Sequence, residues 1–149
     1  MDELKRILLV EDDVNDVELT LESLKEYNLA NEVVVARDGE EALDYLYRRN
    51  QFANVPQGQP VVILLDIKMP RMNGLEVLRI IKNDDNLRLI PVVMVTSSQE
   101  EPDLQEAYEL GVNAYVVKPV GVQQFMQAIK ELGLFWAVFN VPPPGCLKN

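Results

Sequence analysis

The stretch Val61-Val-Ile-Leu-Leu-Asp-Ile-Lys-Met-Pro70 decides the fold. Five apolar residues in a row read as a strand buried on both faces, which is the habit of a parallel sheet. An aspartate, Asp66, follows at the strand's end. A lone buried carboxylate is costly, so Asp66 sits at a wet edge, has a partner, or holds a metal.

Outward from this strand, apolar runs alternate with helical patterns. Ile7-Leu-Leu-Val10 precedes Val14, Val17, Leu21 and Leu24, spaced as one helix face with Asp13 as its N-cap. Val33-Val-Val-Ala36 is followed by Asp38-Gly-Glu-Glu41, which opens a helix turning Ala42, Leu43 and Leu46 inward. After Val61–Leu65 come Asn73-Gly74 and a helix with Leu75, Leu78 and Ile81. Val92–Val95 precedes a helix from about Pro102 to Leu110. Ala114–Val117 precedes one from about Val120 to Leu132. Alternating strands and helices imply an α/β fold, a doubly wound parallel sheet with helices on both faces. The flavodoxin-like (βα)5 order 2-1-3-4-5 follows, with ligands at the carboxyl ends of strands beside the switch point between strands 1 and 3.

Composition excludes several classes. The 149 residues suit one domain with a substantial core, and hydrophobic content is 48%. A net charge of −10 argues against nucleic acid and anionic membranes as direct partners. No run of 18 or more uncharged apolar residues predicts a membrane span, and the charged Met1–Arg6 segment does not read as a signal peptide. The single cysteine, Cys146, fits a reducing, cytoplasmic setting. With no histidine, histidine-based triads and the usual zinc sites fall away.

The residues just past the strands are Glu11 and Asp12 after the first, Asp66 after the third, Thr96 after the fourth, and Lys118 with Pro119 after the fifth. Four segments thus bring polar groups to one end of the sheet. In these motifs — Leu9-Val-Glu-Asp-Asp13, Leu65-Asp-Ile-Lys-Met-Pro70 with Asn73-Gly74, Val95-Thr-Ser97 and Tyr115-Val-Val-Lys-Pro119 — the chain resembles the receiver domain of two-component response regulators, from about Lys5 to Leu132. The resemblance implies that Asp66 accepts a phosphoryl group. It implies that Asp12, Asp66 and the Lys68 backbone carbonyl bind Mg²⁺ (or Mn²⁺), with Glu11 holding a metal-bound water. Thr96 and Lys118 would contact the phosphoryl group, and Tyr115 would be a switch ring that follows Thr96. Lys68 and Ser98 would border the path of the hydrolytic water and tune phosphoryl lifetime. The Lys118–Pro119 peptide would be cis.

Elementary chemistry agrees. Bare carboxylates of Glu11, Asp12 and Asp66 would repel, and Mg²⁺ prefers hard oxygen ligands. The transition state of phosphoryl transfer spreads charge over three equatorial oxygens, which the metal, the Lys118 ammonium and the Thr96 hydroxyl can each take. A carboxylate nucleophile needs no general base. Taken singly, each residue has a plainer reading: Asp66 as a loop acid, Glu11 and Asp12 as acids favoured by a helix dipole, Thr96 as a cap, Lys118 as a solvated charge, Tyr115 as a strand aromatic.

The residues from Arg48 to Pro60 make a longer connection than a minimal receiver needs, and lysine at position 68 leaves the sense of lifetime tuning open. Residues 1–132 read as the receiver. Residues 133–149 read as an extension with no separate output domain. Within it Leu134, Phe135, Trp136, Val138, Phe139 and Val141 form an apolar strip that must pack somewhere. By resemblance the output face of a receiver is built from its fourth helix, fifth strand and fifth helix. A homodimer through that face, buttressed by Phe135, Trp136 and Phe139, is therefore expected, the alternatives being packing back onto the chain's own last helix or sheet edge and docking of the kinase. The long connection and aromatic tail look most like stand-alone regulators serving phytochrome-type photoreceptor kinases, so the expected phosphodonor is a sensor histidine kinase of that type. The chain is thus expected to signal by phosphorylation rather than to act as an enzyme. A haloacid-dehalogenase-type phosphatase would need a second aspartate where Lys68 stands. No G-x-G-x-x-G follows strand 1, against dinucleotide binding. A degenerate receiver serving only as a docking module would share the fold without being phosphorylated.

Overall fold

The computed structural model describes residues 6–25, 32–56, 58–97, 102–118 and 120–131. The expectations for Ser98, Pro119 and the tail residues Phe135, Trp136 and Phe139 fall outside them. The order is β1 (Arg6–Val10), α1 (Val14–Lys25), β2 (Glu32–Ala36), α2 (Gly39–Leu46), β3 (Val62–Asp66), α3 (Gly74–Lys82), β4 (Val92–Thr96), α4 (Pro102–Glu109), β5 (Ala114–Val117) and α5 (Val122–Glu131). All strand pairs are parallel and the sheet order is β2-β1-β3-β4-β5, the topology read from the sequence.

The continuous apolar runs are central strands for a plain reason: β1, β3 and β4 are buried at every position, so both faces must be apolar. Side chains alternate across the sheet. Leu8, Val10, Ile63, Leu65 and Met94 pack with Ala42, Leu43 and Leu46 of α2, Leu78 and Ile81 of α3, and Leu104 of α4. Ile7, Leu9, Val62, Leu64, Val93 and Val95 face the other way, against Leu24 of α1 and Phe125, Ala128 and Ile129 of α5. Two cores, one per face, lock the register, because a one-residue slip would exchange them.

One sequence reading changes. Val14, assigned to the buried face of the first helix, is 53% exposed. It lies in the first turn, past the end of β1, where no sheet remains to cover it; Val17 and Leu21 are only half-buried and Leu24 is sealed. The longer connection from Arg48 to Pro60 is held by specific contacts. It contains a 3-10 turn, Asn50–Phe52, whose Phe52 ring meets Tyr45 edge-on at 5.4 Å. Arg48, in the left-handed region at φ 55, donates to the carbonyls of Tyr45, Pro56 and Gly58. Arg6, at the start of β1, reaches the Tyr45 hydroxyl at 3.4 Å. The long connection is thereby clipped to the amino ends of the strands, away from their carboxyl ends.

Candidate phosphoacceptor site

Register alone brings the strand-end residues together. Val10 pairs with Leu65, Asp66 with Val95, and Thr96 with Val117, so Glu11, Asp66, Thr96 and Lys118 emerge along one edge. The Lys118 N–H donates to the Thr96 carbonyl at 2.8 Å and the Ile67 N–H to the Val95 carbonyl at 3.0 Å, holding the strand ends in line. Glu11 and Asp66 are buried, each 3% exposed, and Asp12 is exposed. One carboxylate oxygen from each of these three lies within 4.8 Å of the others. Across from them Lys118 Nζ stands 2.9 Å from Glu11 Oε1, 3.2 Å from Asp66 Oδ2 and 3.0 Å from Asp16 Oδ2.

The electrostatics follow from burial. Glu11 is pushed up to about 8, first by burial and then by the Asp66 carboxylate opposite. Burial also raises Asp66 above the usual carboxylate range, against the pull of Glu11 and Lys118. Burial alone would lower Lys118, but its contacts with Glu11 and Asp16 outweigh this and hold it above its ordinary value. One ammonium cannot balance three clustered carboxyl groups, so the cluster keeps a proton until a cation neutralises it. Clustered hard oxygens with surplus negative charge are what a divalent cation such as Mg²⁺ neutralises, and Glu11, Asp12 and Asp66 are the residues that fit it.

The backbone around Asp66 is tightly enclosed. Gly74 opens α3, and a Cβ there would stand 2.2 Å from the Asp66 carbonyl oxygen. Its N–H donates to the Ile67 carbonyl at 2.8 Å, so the loop after β3 folds straight back over the end of that strand. Asn73 caps α3 by accepting from the Glu76 N–H. Arg71, at φ 65, ties the loop to Asp38 at 3.1 Å.

The profile of the response regulator receiver domain matches residues 7–130. The chain belongs to this family. Among similar receivers, the response regulator Rcp1 of Synechocystis sp. is 38% identical over 132 residues, covering 89% of this chain and 88% of that protein. The solved structure of the bacteriophytochrome response regulator AtBRR is 60% identical, with a TM-score of 0.86 over 93% of this chain and 99% of its own. The Mn²⁺-bound form of Rcp1 is 37% identical with a TM-score of 0.74, covering 95% and 99% of the two chains. This receiver therefore stands among regulators linked to phytochromes.

The remaining sequence candidates of the receiver are Thr96, Lys68 and Tyr115. Thr96 is buried at the end of β4. The Lys68 side chain is exposed and lines a hollow of about 380 Å³ with Ile67, Met69, Pro70, Asn73 and Asp103 at the start of α4. Tyr115 is half-buried on the edge strand β5. Its ring meets Tyr108 edge-on at 6.3 Å, and it borders a groove of about 450 Å³ between β5 and α5. Asp16 was missed. Its signal was faint: one more acid in the first turn of a helix that opens from an acidic pair, where acids are common for helix-dipole reasons alone.

Proposed function

We propose that the protein is a single-domain response regulator that takes a phosphoryl group onto Asp66 from a sensor histidine kinase. The observation that carries this is Asp66 itself. It is a buried carboxylate at the end of a central strand, 3.2 Å from a lysine ammonium and within ligand reach of two further carboxylates. A bound Mg²⁺ or Mn²⁺ would supply charge neutralisation for the incoming phosphoryl oxygens. Asp12, Asp66 and the Lys68 carbonyl would hold it, with Glu11 reaching it through water. An Asp66 carboxylate oxygen attacks phosphorus as the bond from phosphorus to the donor's imidazole nitrogen breaks. The freed imidazole takes its proton from solvent. Lys118 and Thr96 bind phosphoryl oxygens, and Tyr115 follows Thr96 to alter the α4-β5-α5 surface.

The 149 residues contain no histidine, so the phosphohistidine does not lie within them. Kinship with a bacteriophytochrome response regulator at 60% identity supports a phytochrome-type kinase as that donor. We place the receiver at residues 1–132, the tail at 133–149, the homodimer at the α4-β5-α5 face, and the protein in the cytoplasm. Among the described residues no helix is long and apolar enough to cross a membrane. The test is incubation with acetyl phosphate and Mg²⁺ followed by intact mass. One phosphoryl group should be added per chain, and none to Asp66→Asn. Equal labelling of the two proteins rejects the assignment.

A further inference from the structure

Among the described residues Lys118 is held by three carboxylates, and one of them stands apart from the acidic cluster. An ammonium has three N–H donors and no acceptor. Its contacts with Glu11 at 2.9 Å, Asp16 at 3.0 Å and Asp66 at 3.2 Å account for all three. Glu11 and Asp66 belong, with Asp12, to the group suited to a cation. Asp16 comes from another element, the first turn of α1, where its own N–H donates to Asp13 Oδ1 at 3.0 Å. Its side chain is 31% exposed and the Lys118 side chain 22%, so the pair is partly shielded from water. When a divalent cation draws on Glu11 and Asp66, and when Asp66 carries a phosphoryl group, two of the lysine's three partners are engaged elsewhere. The Asp16 carboxylate is the partner that stays.

We propose that Asp16 is a positioning residue, whose carboxylate anchors the Lys118 ammonium at the rim of the site with an N–H aimed at the phosphoryl group on Asp66. This rests on reading Asp66 as the acceptor. Without the anchor, a flexible four-carbon stem regains rotamer freedom and the donor is aimed only part of the time. Charge alone argues the other way. Removing an anionic group beside the site should help an anionic phosphodonor approach and should strengthen Lys118's attraction for it. The sign of the effect therefore separates positioning from simple electrostatics.

The test compares wild type, Asp16→Asn, Asp16→Ala and Asp66→Asn. The measurements are labelling rate with acetyl phosphate and Mg²⁺, affinity for beryllofluoride as an inert phosphoryl mimic, and affinity for Mg²⁺ by calorimetry. Asp16→Ala should label about tenfold more slowly and bind beryllofluoride about tenfold more weakly, since the donor is kept but loosened. Asp16→Asn, which keeps an uncharged acceptor of the same shape, should fall between it and wild type. Mg²⁺ affinity should not weaken in either, because Asp16 lies outside the acidic cluster. Labelling of both Asp16 variants at the wild-type rate or faster overturns the proposal, as does a loss of Mg²⁺ affinity that tracks the loss of rate. Asp16→Asn is isosteric and keeps the test decisive if the alanine variant fails to fold. An unlabelled wild type, or a labelled Asp66→Asn, would instead strike the acceptor reading, and the proposal with it.

Discussion

At the scale of single residues, the site is defined by charges that burial has made expensive. Glu11 has an ordinary value of 4.5 and is pushed up to about 8 in the fold, with Asp66 also raised. The folded protein therefore holds a proton that the unfolded chain releases. Stability of the metal-free protein should be highest below about pH 5 within this window and fall as pH rises towards 8. A thermal-melting series in chelator reads this, and a flat profile would contradict it. Mg²⁺ binding should release protons near neutral pH, measurable as a dependence of calorimetric heat on buffer ionisation enthalpy. Lys118 is a cation that faces Asp66 at 3.2 Å. Lys118→Ala should fold and yet label about 100-fold more slowly, the usual cost of removing a preorganised group that meets transition-state charge. Lys68 has an exposed side chain beside the loop that follows Asp66. We expect its ammonium to shield the acyl phosphate, so Lys68→Ala should lose the phosphoryl group faster with Mg²⁺ affinity unchanged. A slower decay would reverse the assignment.

At the scale of elements, the loop between β3 and α3 encloses the backbone of Asp66. Gly74 has no room for a side chain, since its nearest neighbour is the carbonyl oxygen of Asp66 and backbone cannot yield as a side chain does. Gly74→Ala should cost about 3 kcal/mol, at the upper end of point substitutions, and should slow labelling beyond what lost stability explains. Urea denaturation and labelling of the folded fraction separate the two effects. The excursion after α2 shows the opposite economy. Arg48, Arg6 and Tyr45 fasten it at the amino ends of the strands, where it adds bulk without approaching Asp66. Arg48→Ala should therefore loosen residues 48–60 in hydrogen exchange while leaving labelling at the wild-type rate.

At the scale of the whole molecule, two cores hold a rigid sheet whose carboxyl edge carries a concentrated negative charge. A cation that binds only the folded state at about 100 times its dissociation constant should add about 2.7 kcal/mol of stability. The increment should be larger at pH 8 than at pH 5, because Glu11 must be deprotonated to share a cation. The apolar strip that includes Phe135, Trp136 and Phe139 belongs to the same scale, since apolar residues so concentrated call for cover. We expect sedimentation to show a dimer for the full chain, tightened by acetyl phosphate and Mg²⁺, and a weaker dimer for a chain ending at Leu132. Monomers in all four conditions would remove the dimer and leave the tail as a clasp or a kinase-docking strip.

By itself the sequence determined the architecture and the convergence of Glu11, Asp12, Asp66, Thr96 and Lys118. Both depend on short-range regularities. Apolar runs buried on both faces force a parallel sheet, and the residue after a strand must lie at that sheet's edge. The first-turn position of Val14 was hidden from the same logic, because helical spacing says which side a residue faces and not whether any sheet lies beneath it. The partners of Lys118 were decided only by tertiary structure. Asp16 lies 102 positions away from it in the chain. An acid in the first turn of a helix is explained locally by the dipole, so nothing in the sequence marks it as an ion-pair partner. Its meeting with Lys118 follows from how α1 packs across the strands, a long-range geometry that no local pattern records. The clip formed by Arg48, Arg6 and Gly58 has the same origin.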